Sequence, residues 1–170
     1  LRDRFGIILR VDYYSDKELF EIINRSAEIF EIKIVDKAAM ELASRSRGTP
    51  RIANRILRRA RDFAEVDGTG EITLDIAKST LKHLGIDDIG LDNMDRKILN
   101  IIIDNFSGGP VGLKSLAVAL GEDVMTIEDV YEPFLIKKGF ILRTPRGRVA
   151  QESAYNLLGK KIKNNEKGLF

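Results

Sequence analysis

Four residues, Gly48-Thr49-Pro50-Arg51, constrain this chain most tightly. Glycine is the residue that most often closes a helix, while threonine at the N-cap and proline at the first helical position open one. The spacing therefore predicts one helix over about Asp36 to Arg47, a break at Gly48, and a second helix starting at Pro50. At about 100° per residue, Ile52, Ala53, Ile56, Leu57, Ala60 and Phe63 gather within an arc of roughly 140°. Arg51, Arg55, Arg58, Arg59 and Arg61 occupy the other side. Such a helix must bury one face against neighbours, so the segment belongs to a helical domain. Arg55, Arg58, Arg59 and Arg61 read as a solvated basic face, with inter-subunit or DNA contacts as the other uses. Arg51 stands apart, because the first turn already carries unpaired N–H groups and the positive end of the helix dipole. A cation placed against that dipole points to a bound anion, most often a phosphate.

The flanking segments complete a small helical domain. Ser15 with Glu18 forms a capping-box pattern ahead of Leu19, Ile22, Ile23, Ala27 and Phe30 on one face. A fourth helix is expected over about Thr73 to Leu84, ending at Gly85. Before them "FGIILRV", Phe5 to Val11, reads as one buried strand whose sheet the chain does not supply. Since the chain begins Leu1-Arg2-Asp3, it is expected to be the C-terminal part of something longer. With 28 Lys+Arg against 26 Asp+Glu, the net charge of +2 leaves nucleic-acid affinity to local clusters. There are no cysteines, which excludes a disulfide framework and thiolate metal sites. No apolar run is long enough to span a membrane. The only histidine, His83, reads as a surface or capping residue, and no catalytic triad, metal cluster or paired catalytic carboxylates can be assembled.

"GIDDIGLDNMD", Gly85 to Asp95, lacks periodicity and reads as a linker. Beyond it come a helix over about Asn93 to Phe106, a "SGGPVG" loop, a short helix carrying Leu113, Leu116, Ala117 and Leu120, and a helix over about Thr126 to Lys138. Two short strands, Phe140 to Arg143 and Arg148 to Ala150, flank a Pro-Arg-Gly turn. Three helices and a hairpin make a winged helix-turn-helix. "GGPVGLKS" is not a phosphate loop, because Leu113 stands where the second glycine is required. Arg143, Arg146 and Arg148 crowd the hairpin tip, as phosphate or minor-groove contacts would require. Glu128, Asp129 and Glu132 on the candidate recognition helix would be repelled by phosphates. DNA binding is therefore expected to be sequence-tolerant and led by the wing, with a salt slope near −2.7 for about three phosphates.

The segments "LRDRFGI", "RSRGTPRIANRILRRARDFAEV", "GLDNMDRKIL", "GGPVGL", "TIEDVYEPFLIKKGF" and "RTPRGRVA" closely resemble the RuvB family of AAA+ motors, over essentially Leu1 to Leu158. The resemblance implies a mainly α chain: a helical AAA+ lid followed by a winged helix-turn-helix, with one leading strand from a truncated α/β ATPase core. The implied divisions are 1–16 for the end of the large ATPase domain, 17–87 for the lid, 88–158 for the DNA-binding head and 159–170 for a flexible tail. By the same resemblance Arg51 matches the sensor-two arginine that reaches the γ-phosphate. Arg4 matches the arginine at the subunit boundary that serves as a finger on a neighbour's ATP, with Arg2 the second candidate. Tyr14 matches a nucleotide-contacting tyrosine, hinge packing being its other reading, and Arg143 and Arg148 match wing arginines that bind DNA, with Arg146 between them. The implied activity is ATP-driven branch migration of four-way DNA junctions by a hexameric ring, using ATP/ADP with Mg²⁺, with RuvA and RuvC as partners in the cytoplasm. Without a phosphate loop, this chain alone is expected neither to hold ATP tightly nor to hydrolyse it. Two other readings are a non-enzymatic winged-helix DNA-binding protein and another AAA+ protein, such as a replication initiator or clamp-loader relative.

Overall fold

A computed structural model of the chain describes residues 12–68 and 70–162. The expected strand at 5–11, Arg2 and Arg4 lie outside the described residues, as does most of the 159–170 tail. The fold is mainly helical and divides into two units, one ending at Gly90 and the other beginning at Leu91.

In the first unit, α1 (Asp16–Ile29) starts as its sequence dictates. The Ser15 Oγ accepts from the Glu18 N–H, and Glu18 accepts in return from the Ser15 N–H at 2.8 Å and its hydroxyl at 2.7 Å. These two hydrogen bonds favour the ionised carboxylate and hold the Glu18 pKa below its usual value. Next come α2 (Asp36–Ser44), α3 (Pro50–Val66) and α4 (Leu74–His83). Their buried faces are rich in alanine: Ala27, Ala38, Ala39, Ala43, Ala53, Ala60, Ala64 and Ala77 surround Leu19, Ile23, Leu42, Ile56 and Leu57. Side chains this small let the helix backbones approach closely, and the larger residues fill what remains. Two strands escape a periodicity reading because each is two residues long. These are β1 (Lys33–Ile34) and β2 (Glu71–Ile72), which pair in parallel.

α2 ends three residues short of Arg47, and serine hydroxyls explain the early stop. Ser44 Oγ donates to the Glu41 carbonyl at 2.9 Å and Ser46 Oγ to the Leu42 carbonyl at 2.6 Å, taking acceptors that the helix ladder would otherwise use. Arg47 and Gly48 then turn the chain with φ of 57° and 77°.

In the second unit, α5 (Asn93–Asn105) opens with a capping box between Asp92 and Asp95 inside the segment expected to be linker. Ile98, Leu99, Ile102 and Ile103 are its core face. α6 (Leu113–Leu120) follows, and then a helix that differs from the expected regular one over 126–138. It comprises α7 (Val124–Thr126), a π-helical segment Ile127–Tyr131 and α8 (Glu132–Lys137). Pro133 supplies the physical reason, since it lacks the N–H that a regular ladder would aim at the carbonyl four residues earlier. The wing is β3 (Ile141–Thr144) against β4 (Gly147–Ala150), and it puts Arg143 directly opposite Arg148. A final short helix, α9 (Glu152–Leu157), buries Ala154 and Tyr155 and carries no amphipathic pattern long enough to read in advance.

Gly109 of "SGGPVG" owes its place to the wing. The Val111 N–H donates to the Arg148 carbonyl at 2.9 Å, the Arg148 N–H to the Val111 carbonyl at 2.8 Å, and the Ala150 N–H to the Gly108 carbonyl at 2.8 Å. The loop is thus a third strand-like layer on β4. A Cβ at Gly109 would overlap the Arg148 carbonyl oxygen, and one at Gly147 would overlap the Val111 carbonyl oxygen. Gly147 also sits at φ 137°, where side-chain-bearing residues are strained. Gly147→Ala is therefore expected to lower unfolding free energy by at least about 1–3 kcal/mol, read as a fall in the urea midpoint at unchanged slope.

Candidate nucleotide-sensing corner and DNA-binding wing

The corner at Gly48 brings together Tyr14 and Arg51, two of the three residues expected to contact nucleotide, while Arg4 lies outside the described residues. The Tyr14 N–H donates to the Gly48 carbonyl at 3.0 Å, so the segment entering α1 is pinned beside the start of α3. Tyr14 is 40% exposed and Arg51 is exposed in the first turn of α3. Thr49 takes the N-cap position but does not cap, which departs from the expected role. Its hydroxyl instead donates to the Ser46 carbonyl at 3.3 Å, which leaves the first turn of α3 without a side-chain acceptor. Among the described residues, the Arg51 guanidinium has no ion pair or hydrogen bond. Open N–H groups, a helix dipole and a free guanidinium together favour an anion. The Arg47 Nε–H donates to the Gly90 carbonyl at 3.1 Å and closes the corner on its other side.

Farther along α3 the basic face is largely answered from within the chain. The Arg58 guanidinium lies 5.5 Å from the centre of the Phe30 ring. Arg59 and Arg61 share Asp62, and Arg61 also faces Glu65 at 3.6 Å. His83 directs Nδ1 at the Ser79 carbonyl, 2.8 Å away within its own helix end.

The three wing arginines take three different environments. Arg148 is buried, its side chain 9% exposed, and donates through Nε at 3.0 Å and Nη2 at 2.6 Å to the 3%-exposed Glu132 carboxylate. Arg143 is 57% exposed, with Nη2 3.0 Å from Glu128 Oε1 and Nη1 3.8 Å from Glu132 Oε1. Arg146 is exposed at the turn, with no side-chain partner among the described residues; its backbone N–H donates to Thr144 Oγ1. Like charges facing each other across a ladder are destabilising, so the Arg143–Arg148 register needs the two carboxylates beneath it. Glu128 and Glu132 are thus the residues that sequence reasoning missed in this role. Two acids spaced one turn apart, ahead of a hairpin with two arginines in register, are the pattern that announces them.

Two family models divide the chain between them: the RuvB AAA lid domain matches residues 14–87 and the RuvB C-terminal winged helix domain matches residues 88–159. The Holliday junction branch migration complex subunit RuvB of Clostridium kluyveri is 54% identical over 165 residues, 97% of this chain and 47% of that protein. The chain belongs to the RuvB family. The solved Thermotoga maritima RuvB Holliday junction branch migration motor superposes on it with a TM-score of 0.89 at 51% identity, over 95% of this chain and 54% of that one. The chain thus spans about half the length of the RuvB proteins it matches, with the lid and winged-helix domains accounting for it.

The burial of Arg148 separates its role in stability from any role on DNA. Removing one partner of a buried ion pair leaves an uncompensated charge, so Arg148→Ala is expected to cost about 3–5 kcal/mol of unfolding free energy. Arg51→Ala, which breaks no ion pair or hydrogen bond among the described residues, is expected to stay within about 0.5 kcal/mol of the parent. Chemical denaturation of the two variants checks both values, and a destabilised Arg51→Ala would contradict the free state of that guanidinium.

Proposed function

We propose that this chain is the nucleotide-sensing lid and the DNA-gripping head of an ATP-driven motor that moves the branch point of four-way DNA junctions. What supports this is the joint presence, in one chain of the RuvB family, of an anion-seeking corner at Arg51 and an arginine-tipped wing at Arg143 and Arg146. ATP or ADP with Mg²⁺ is the cofactor of the motor. The corner fits a polyphosphate as one wall of its site, because the first turn of α3 lacks a side-chain acceptor and Arg51 has no partner among the described residues.

In this mechanism Arg51 places a fixed positive charge where negative charge accumulates on the transferred phosphoryl group. Tyr14, pinned through its backbone to Gly48, would contact the nucleotide from the same corner. Arg4 is the finger that reaches a neighbouring subunit's nucleotide, with Arg2 as the alternative. At the other end, Arg143 and Arg146 neutralise backbone phosphates, which gives grip without sequence reading. Arg148 acts from beneath, holding the hairpin on Glu132. The assembly is a hexameric ring in the cytoplasm that works on junctions held by RuvA and later cut by RuvC; no helix among the described residues is long and apolar enough to cross a membrane.

In full-length protein, Arg51→Ala is expected to reduce ATP turnover by about 100-fold while leaving the fold intact by circular dichroism. Turnover equal to the parent would overturn the sensing role. The 170-residue chain by itself is expected to release no phosphate from ATP, and steady hydrolysis by the purified chain would contradict the absence of a phosphate loop from it.

A further inference from the structure

The two carboxylates on the acidic side of the helix beneath the wing differ sharply in what they can release. Glu132 is buried and holds Arg148 by two hydrogen bonds in a site that excludes water. That pair cannot be exchanged without exposing or orphaning a charge. Glu128 is 38% exposed and holds the 57%-exposed Arg143 by one close approach of 3.0 Å. Ion pairs this accessible are weak, because water and salt compete for both partners. A backbone phosphate offers Arg143 a stronger, bidentate acceptor.

We propose that Glu128 is a displaceable counter-ion that occupies Arg143 in the free protein and yields it to a DNA phosphate, so that this carboxylate sets how tightly the wing grips. It rests on the wing reading given above. Glu132 supplies the restoring element: its Oε1 is buried without a hydrogen bond and faces Arg143 Nη1 at 3.8 Å. A buried carboxylate oxygen in that state attracts the guanidinium back when the phosphate leaves. The wing therefore carries one fixed arginine, Arg148, one exchangeable arginine, Arg143, and one free arginine, Arg146. A motor must let go of each phosphate it grips, and a grip weakened in advance by an internal competitor releases faster.

A double-mutant cycle on the 170-residue chain tests this by fluorescence anisotropy with a labelled duplex at low salt. Glu128→Gln is expected to tighten binding about two- to five-fold, and in an Arg143→Ala background to act no more strongly than the general electrostatic control below. Asp129→Asn, an equal change of charge at an exposed neighbouring position without a partner among the described residues, is the control for general electrostatics. Its effect is expected to be the same with or without Arg143. If Glu128→Gln tightens binding equally in both backgrounds, or not at all in the parent, the counter-ion role is overturned while the wing reading stands. If neither Arg143→Ala nor Arg146→Ala weakens binding, or if no binding is measurable, the wing reading fails and the counter-ion role with it.

Discussion

The second unit depends on one buried contact, the Arg148–Glu132 ion pair. β4 presents Arg148 to the interior at the point where the Gly108–Val111 loop closes over the same strand through three backbone hydrogen bonds. A charge held there needs a carboxylate of matching geometry, and the helix containing Pro133 provides it. The π-helical segment just before Glu132 and the glycines opposite β4 are the local irregularities that let helix, loop and hairpin meet around that pair. From this follows the division of labour among the arginines. Once Arg148 is committed inward, its cross-strand partner Arg143 must be neutralised too, and among the described residues the turn residue Arg146 has no counter-ion.

The first unit has a comparable focus, but an open one. Its corner is held by backbone contacts, Tyr14 to Gly48 and Thr49 to Ser46, together with Arg47 to Gly90. These leave the side chains of Tyr14 and Arg51 available. Where the wing answers two of its three arginines internally, the Arg51 guanidinium has no partner among the described residues, an arrangement that suits an anion.

Much of the fold could be read from the residues because helix signals are local. Ser15 with Glu18, Pro50 behind Gly48, and Thr73 before α4 all mark starts that the structure keeps. The elements missed were either too short for periodicity, such as β1, β2 and α9, or produced by side chains acting against the pattern. Ser44 and Ser46 ended α2 early, and Pro133 widened a helix that looked regular. Arg51 stood out in the sequence because a cation in the first turn of a helix violates a local rule, and the structure leaves it exposed there. The wing was legible only as a cluster. Which of its three arginines is fixed depends on a partner sixteen residues away, and no spacing rule within the hairpin reveals it.

The central claim is that Arg143 and Arg146, and not Arg148, meet the phosphates. The salt dependence of duplex binding measures it most directly, because each phosphate neutralised adds about 0.9 to the slope of log K against log salt. Replacing Arg143 and Arg146 together by alanine is predicted to flatten that slope by about 1.8. A double variant that kept the parent slope would show that the phosphates are met elsewhere and would contradict the account.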